Sequence, residues 1–328
     1  MTDIVMNDVF EVIRHYDPYN QFLKIKNPYG GRLIRNNEFH VMGLENGKLC
    51  AIAHSPVLFT YYRGEPDVYD TCFPSLYRGN PSEDTILINQ LKALDFQDIC
   101  KTFPSAQFAE KDGLDVRYDA ISQHYGLKTN IIDITDDISV AAYFATQQYD
   151  EDTDSYHSIT DGLGCIRMTE QMLGMPGFQG IIIGVQPFYR TARQRAYGYI
   201  CKPGENFAQS STAVIFKQDS QMNKLVNDAF EQNEDYVLFP SEIIADAAKE
   251  VRKSSVITRT SIEEYCRVEH REYGDVVQIL RSNGFEVTNY PVFKLTRQQR
   301  RMIEKKIRTG CPYGNLQFTS RLMIHSPT

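Results

Sequence analysis

Between Val116 and Gln148 the chain passes through a helix stop, an extended piece and a helix start, and no other stretch constrains the fold as strongly. VRYDAISQHYG reads as a short helix ended by Gly126 at C′, where a left-handed backbone suits a residue without Cβ. His124 and Tyr125 then fall in its last turn. KTNIIDIT reads as extended, with Thr135 as an N-cap and Asp136 and Asp137 in the first turn of a helix through SVAAYFATQQ. Val140, Ala141, Phe144 and Ala145 form its expected buried face.

The flanking sequence repeats this mixture. FHVMGL and KLCAIAH around Glu45-Asn46-Gly47 predict a hairpin, and VLFTYY a strand ending near Arg63, with Gly64 allowing a turn. SEDTILINQLKALDFQDICKTF predicts one or two helices capped by Ser82. GCIRM and GIIIGVQPF predict strands, the latter nearly continuous apolar and expected at the centre of a sheet. From about Ser220 helices are expected in QMNKLVNDAFEQN, SEIIADAAKEV, EYGDVVQILRSNG and TRQQRRMIEKKIRTG. The fold class is therefore α+β, a mixed sheet core with a predominantly helical C-terminal portion. The expected organisation is a strand and loop region over 1–50, an α+β core over 51–220, and helices over 221–328 packed on that core.

Composition narrows the function classes. A chain of 328 residues, 42% of them hydrophobic, can bury a sizeable core, and a net charge of −7 excludes a general polyanion binder. Seven scattered cysteines show no CxxC or Cys/His ligand spacing, which predicts inert thiols in a reducing compartment and no metal site. MTDIVMNDVF lacks the pattern of a signal peptide and no run is long and apolar enough for a membrane helix, so the expectation is a cytoplasmic protein with no membrane partner. Asp150, Asp152, Asp154 and Asp161 have the spacing of a calcium loop, but Ser155 stands where such a loop needs Gly, and a solvated acidic loop is the expectation. KLTRQQRRMIEKKIRTG carries seven Lys and Arg against one Glu, with a Thr296/Gln299 capping box. It reads either as an amphipathic helix with a solvated basic face or as a nucleic-acid contact.

Tyr-Arg-Gly occurs twice, at Tyr62-Arg63-Gly64 and Tyr77-Arg78-Gly79. Taken with FPSLYR (73–78) and QHYGLKTNIIDITDDISVAAYFAT (123–146), the first copy resembles the naming motif of the FRG domain family. The resemblance spans roughly Leu58 to Thr146. Tyr62 replaces the usual Phe, Asn130 stands where many members have Arg, and RQRAYGY near Gly198 approximates a further family element. Of the second copy only Arg78 matches a family position, so the two are no internal repeat.

FRG domains resemble components of prokaryotic defence or toxin-type systems. Their aromatic-Arg-Gly is similar to the first motif of ADP-ribosyltransferase folds, where a strand-borne cation grips NAD. That resemblance implies NAD or a related nucleotide as the ligand, with Arg63 forking onto the pyrophosphate. Arg63, His124, Asp133 and Glu242 are the catalytic candidates, and Arg63, Gly64, Arg78, Tyr125, Thr129 and Tyr143 the nucleotide-binding ones. Tyr125 and Tyr143 would wall the nicotinamide, and Asp133, Glu205 or Glu242 would stabilise an oxocarbenium-like transition state. The competing reading is a non-catalytic module sensing a nucleotide, nucleic acid or phage protein. Each residue also has a structural reading: Arg63 paired with a carboxylate such as Asp133, Arg78 at a helix start, His124 at a helix end, Asp133 and Thr135 in a turn and cap, Glu242 in a first turn.

Overall fold

In a computed structural model, which describes residues 5–16, 38–44, 46–53, 60–150, 155–170, 179–231, 238–309 and 317–323, a mixed seven-stranded sheet forms the centre. Its order is β1 (Val5–Met6), β11 (Thr212–Lys217), β8 (Leu163–Glu170), β4 (Thr60–Glu65), β5 (Ile131–Thr135), β10 (Ala196–Ile200) and β9 (Gly180–Ile182). β1 runs parallel to β11, and the remaining neighbours are antiparallel. On one face lie α1 (Val9–Tyr16), α5 (Ile138–Thr146) and α7 (Ser220–Glu231), burying Phe10, Ile13, Tyr62, Ala141, Tyr143, Phe216 and Phe230 in one cluster.

The helical remainder gathers around α2 (Glu83–Lys101), whose N-cap Ser82 accepts from Thr85 N–H at 3.2 Å. Leu87 and Leu91 of α2 pack with α9 (Arg259–Glu269) and α10 (Tyr273–Ser282). Phe96 and Ile99 pack with α3 (Pro104–Lys111), α4 (Tyr118–His124) and α8 (Ile243–Lys253). One helix thus joins the C-terminal helices to the rest. Smaller elements complete the fold: the sheet of β2 (Glu38–Gly43), β3 (Leu49–Ala53) and β14 (Gln317–Met323), the hairpin of β6 (Gln147–Asp150) and β7 (Ser155–Ser158), the pair β12 (Val256–Thr258) and β13 (Glu286–Thr288), and helices α6 (Tyr189–Arg193) and α11 (Arg297–Arg308). Among the described residues no helix is long and apolar enough to cross a membrane.

The α+β class, the hairpin, the helix stop at Gly126 (φ 82°) and the capping box are as the sequence predicts. Several local expectations are corrected. β4 extends through Arg63 and Gly64 to Glu65, so Gly64 makes no turn. A Cβ on Gly64 would lie 1.8 Å from Ala141 O, and the glycine is there because α5 crosses the strand at that point. GII is the edge strand β9; the apolar run continues because Ile183 and Val185 are buried beyond it, Val185 N–H donating to Ala51 O of β3 at 2.7 Å. The N-cap of α5 is Asp137, which accepts from Ser139 N–H, while Thr135 Oγ1 accepts from Asp137 N–H and donates to Gln194 O. α5 is buried nearly all round, the pattern of a helix covered on several sides, and Phe144 is its least buried residue. Helix α9, capped by Thr258, was not among the expected helices. The acidic run is interrupted by 151–154, outside the described residues, so the calcium-like spacing is not placed.

Candidate functional site

β4 and β5 share a single register pair, Tyr62 with Thr135. Beyond it no further pairing joins them, and a cleft of about 1120 Å³ opens beside the two strands. β4 contributes Arg63 and Glu65 to it, the segment from Pro66 to Pro81 contributes Phe73 and Arg78, and the end of α4 contributes Gln123 and His124. Asp133 of β5 and Phe144 of α5 face the same space, with Tyr149 and Tyr156 from the β6–β7 hairpin.

Arg63 is held from two sides. Its Nη1 donates to the carbonyl of Asp133 at 3.1 Å across the opening between the strands, and its Nε lies 3.5 Å from Glu65 Oε1. Glu65 is buried and bonds Arg167 Nε at 2.6 Å. Arg63 and Arg167 are direct cross-strand partners, an unfavourable like-charge pairing offset by the carboxylate between them. With the Asp133 carboxylate facing the same space, the two guanidinium groups meet two carboxylates. The expected pairing of Arg63 with the Asp133 carboxylate is replaced by contact with its backbone oxygen and with Glu65.

His124 and Asp133 meet with their protons already constrained. Gln194 Nε2 donates to Leu238 O at 3.2 Å, so its Oε1, 2.9 Å from His124 Nδ1, is the acceptor of an Nδ1–H bond. His124 Nε2 faces Asp133 Oδ1 at 3.5 Å. The other carboxylate oxygen, Oδ2, accepts from Gln123 Nε2 at 3.0 Å, while Gln123 Oε1 accepts from Thr129 Oγ1 at 2.6 Å. Arg190 Nη1 donates to the His124 carbonyl at 3.1 Å and anchors the helix end. Either Nε2 bears a second proton and pairs with Asp133, or it directs a lone pair at an acceptor. In the second state both atoms call for a donor.

Among the described residues Arg63 Nε, His124 Nε2 and Asp133 Oδ1 are each buried and make no hydrogen bond, their nearest charged partners lying 3.5 Å away. Unsatisfied buried polar atoms are uncommon in native proteins, and here three belong to residues lining one cleft. The structure therefore brings together Arg63, His124 and Asp133, three of the four catalytic candidates.

The fourth lies elsewhere. Glu242 is the N-cap residue of α8, not a first-turn acid, and its side chain caps nothing there. It accepts from the Tyr125 hydroxyl and from Tyr189 N–H, in a buried cluster behind α4 where the Arg190 guanidinium lies 4.5 Å from the centre of the Tyr125 ring. Tyr125 and Tyr143 are buried, in separate core clusters, and neither lines the cleft. The aromatic side of the cleft is Phe144, Tyr149 and Tyr156 instead, with Tyr156 stacked on Phe239 at 4.8 Å. Burial, and after it Tyr149, pushes the Tyr156 hydroxyl up to about 12, so it stays protonated. Thr129 is buried and acts through Gln123. Arg78 lines the cleft from a turn that precedes α2 by several residues, its Nη2 3.4 Å from Phe73 O, and does not start the helix. Gly64 lines it as well, with its Cα against α5. Glu205 is engaged by Gln179, Tyr199 and Lys202 outside the lining.

Gln123 and Gln194 are the residues missed by sequence reasoning. Both had a signal: Gln123 opens the Gln-His-Tyr-Gly block, and Gln194 sits in the RQRAYGY element. Gln194 is followed by Arg195 in a left-handed conformation (φ 48°), whose guanidinium makes a buried two-bond pair with Asp136 at 2.6 and 3.0 Å. That pair ties the β10 side to the turn entering α5.

Glu242 offers a test of the buried cluster. Burial raises its carboxyl against the lowering effects of Tyr125, Tyr189 N–H and Arg190. A carboxyl raised in the folded state stabilises below its ordinary value and loses that contribution as pH rises through the folded value. Glu242→Gln, which resembles the protonated acid, is expected to match the wild type near about pH 4 and to exceed its thermal midpoint near about pH 8. Equal midpoints at both pH values would show that Glu242 is no more protonated folded than unfolded.

Residues 59–154 match the sequence model of the FRG domain family. No curated protein and no solved structure matches the chain. The matched span contains Arg63, Gln123, His124, Asp133 and most of the cleft lining, so the family signal and the site coincide. The chain is accordingly a protein with an FRG domain over residues 59–154, and the cleft beside β4 and β5 is centred on that domain.

Proposed function

We propose that the cleft binds NAD or a closely related nucleotide and breaks its nicotinamide-ribose bond, either onto water or onto a protein acceptor. The observation that carries this reading is the set of three unsatisfied polar atoms, one each on a guanidinium, an imidazole and a carboxylate. Arg63 supplies the cation for the pyrophosphate. Phe144, Tyr149 and Tyr156 supply an aromatic side for the planar ring. Asp133 is the carboxylate that faces the positive charge developing at the ribose.

In the hydrolytic case the C1′–N bond breaks, nicotinamide leaves neutral with the bonding pair, and a water oxygen bonds to C1′. The water gives its proton to the His124/Asp133 pair, whose facing acceptors fit a group donating to both. In the transferase case a protein nucleophile takes the place of water and loses its proton to the same pair. Consumption of NAD suits a toxin-type effector of a prokaryotic defence system, the setting implied by the family.

Purified protein incubated with NAD is expected to release nicotinamide, and Arg63→Lys, which loses the fork geometry, to raise KM by about 10- to 100-fold. A wild-type protein that neither releases nicotinamide nor gains thermal stability in millimolar NAD overturns the reading. Thermal stabilisation without nicotinamide release or label transfer onto lysate proteins would move the protein to the class of nucleotide-sensing modules.

A further inference from the structure

We infer that the surface formed by α11 and the segment leading into it binds single-stranded nucleic acid, independently of the cleft. Arg297, Arg301, Lys305 and Arg308 recur at helical spacing and are all exposed, with successive side chains at four-residue spacing about 6 Å apart along the axis. None of the four forms an ion pair among the described residues, although the chain as a whole is acidic. Like charges at this spacing repel, and a cation at the first helical position opposes the helix dipole, so the stripe works against the stability of its own helix.

The opposite face of α11 already has a use. Ile303 packs into the cluster around Phe96 and Phe103, and Arg300 Nη2 donates to Thr102 O at 3.1 Å. Ile303 is turned to the protein and Met302 stands exposed among charged neighbours, so α11 has no continuous apolar face for insertion between lipids. The independent observation is Tyr290, 69% exposed, with Lys294 Nζ 4.9 Å from its ring centre. An exposed aromatic ring with a lysine over it, in the segment that leads into a helix with an exposed row of cations, offers both a surface on which an unpaired base can stack and charges for the backbone. Stacking favours single strands over duplex, in which the bases are covered.

The full chain is titrated into a fluorescently labelled 20-nucleotide single strand, the matching duplex, and anionic phospholipid vesicles. The strand is expected to bind best, with log Kd changing against log salt with a slope of about 3 in magnitude if four phosphates are neutralised. Arg301→Glu with Lys305→Glu should weaken binding at least tenfold and reduce the slope by about half. Tyr290→Ala should weaken the single strand while leaving the duplex unchanged. Both variants alter exposed positions, and their circular dichroism and thermal midpoints are expected to match the wild type. The proposal is overturned by any of four results: no salt-dependent binding of the strand, equal binding by the charge-reversal variant, equal competition by polyglutamate, or vesicles binding in preference to the strand. Loss of nicotinamide release with retention of strand binding, or the reverse, separates this surface from the cleft.

Discussion

Asp133→Asn should lower the rate of nicotinamide release by about 10²- to 10⁴-fold with little change in KM. The substitution removes one negative charge and little else. Asn retains an oxygen that can accept from Gln123 Nε2, the bond now made by Oδ2 at 3.0 Å, and the backbone oxygen that receives Arg63 is untouched. What is lost is the acceptor facing His124 Nε2 and the charge available to an electron-deficient ribose. Because the effect falls on the transition state, kcat and kcat/KM should drop together, and the thermal midpoint should stay close to that of the wild type. A variant that keeps wild-type turnover would remove Asp133 from the chemistry.

Gly64→Ala should cost about 3 kcal/mol or more, at the upper end for inserting one methyl group into a packed region. The new Cβ would lie 1.8 Å from Ala141 O and 2.6 Å from Ala145 N. Both are backbone atoms of α5, so no rotamer change relieves the clash and the helix must move off the strand. A loss of about 4 °C or more in thermal midpoint follows for a chain of this length unfolding as one unit. Because α5 carries Phe144 and its cap abuts Asp136, displacement would also deform the cleft. Unchanged stability in this variant would mean that the strand and helix do not approach as closely as described.

Much of the architecture was legible because local chemistry decides it. Gly126 ends α4 through its left-handed backbone, Ser82 caps α2 through its hydroxyl, and Thr296 with Gln299 closes a capping box. Other elements were misplaced because the deciding contact lies far along the chain. The GIII run looked like a central strand since burial on every side gives the same apolar pattern whether neighbours are strands or, as here for Val185, the β2–β3 hairpin. Gly64 suggested a turn, when the constraint is a helix passing over it. For the candidate site, Arg63, His124 and Asp133 were each identifiable from the motifs, but so were Tyr125 and Tyr143, which the same motifs carry and the core buries, whereas Glu242 was selected by residue type alone. A carboxylate or ring with the right chemistry is common, and only packing shows which cavity it faces.

The two Tyr-Arg-Gly copies show where the division falls. The amino-acid sequence by itself determined that they are unequal, that the first copy belongs to a strand-like run, that His124 closes a helix, and that an α+β chain with an FRG signature surrounds them. Tertiary structure decided that β4 and β5 part after one register pair, that Glu65 sits between Arg63 and Arg167, and that Gln123 donates to Asp133 while Gln194 faces His124 Nδ1. The physical reason is range. Caps, turns and strand propensity act within a few residues, while the hydrogen bonds that orient the cleft join positions about 70 apart, from Arg63 to Asp133 and from His124 to Gln194.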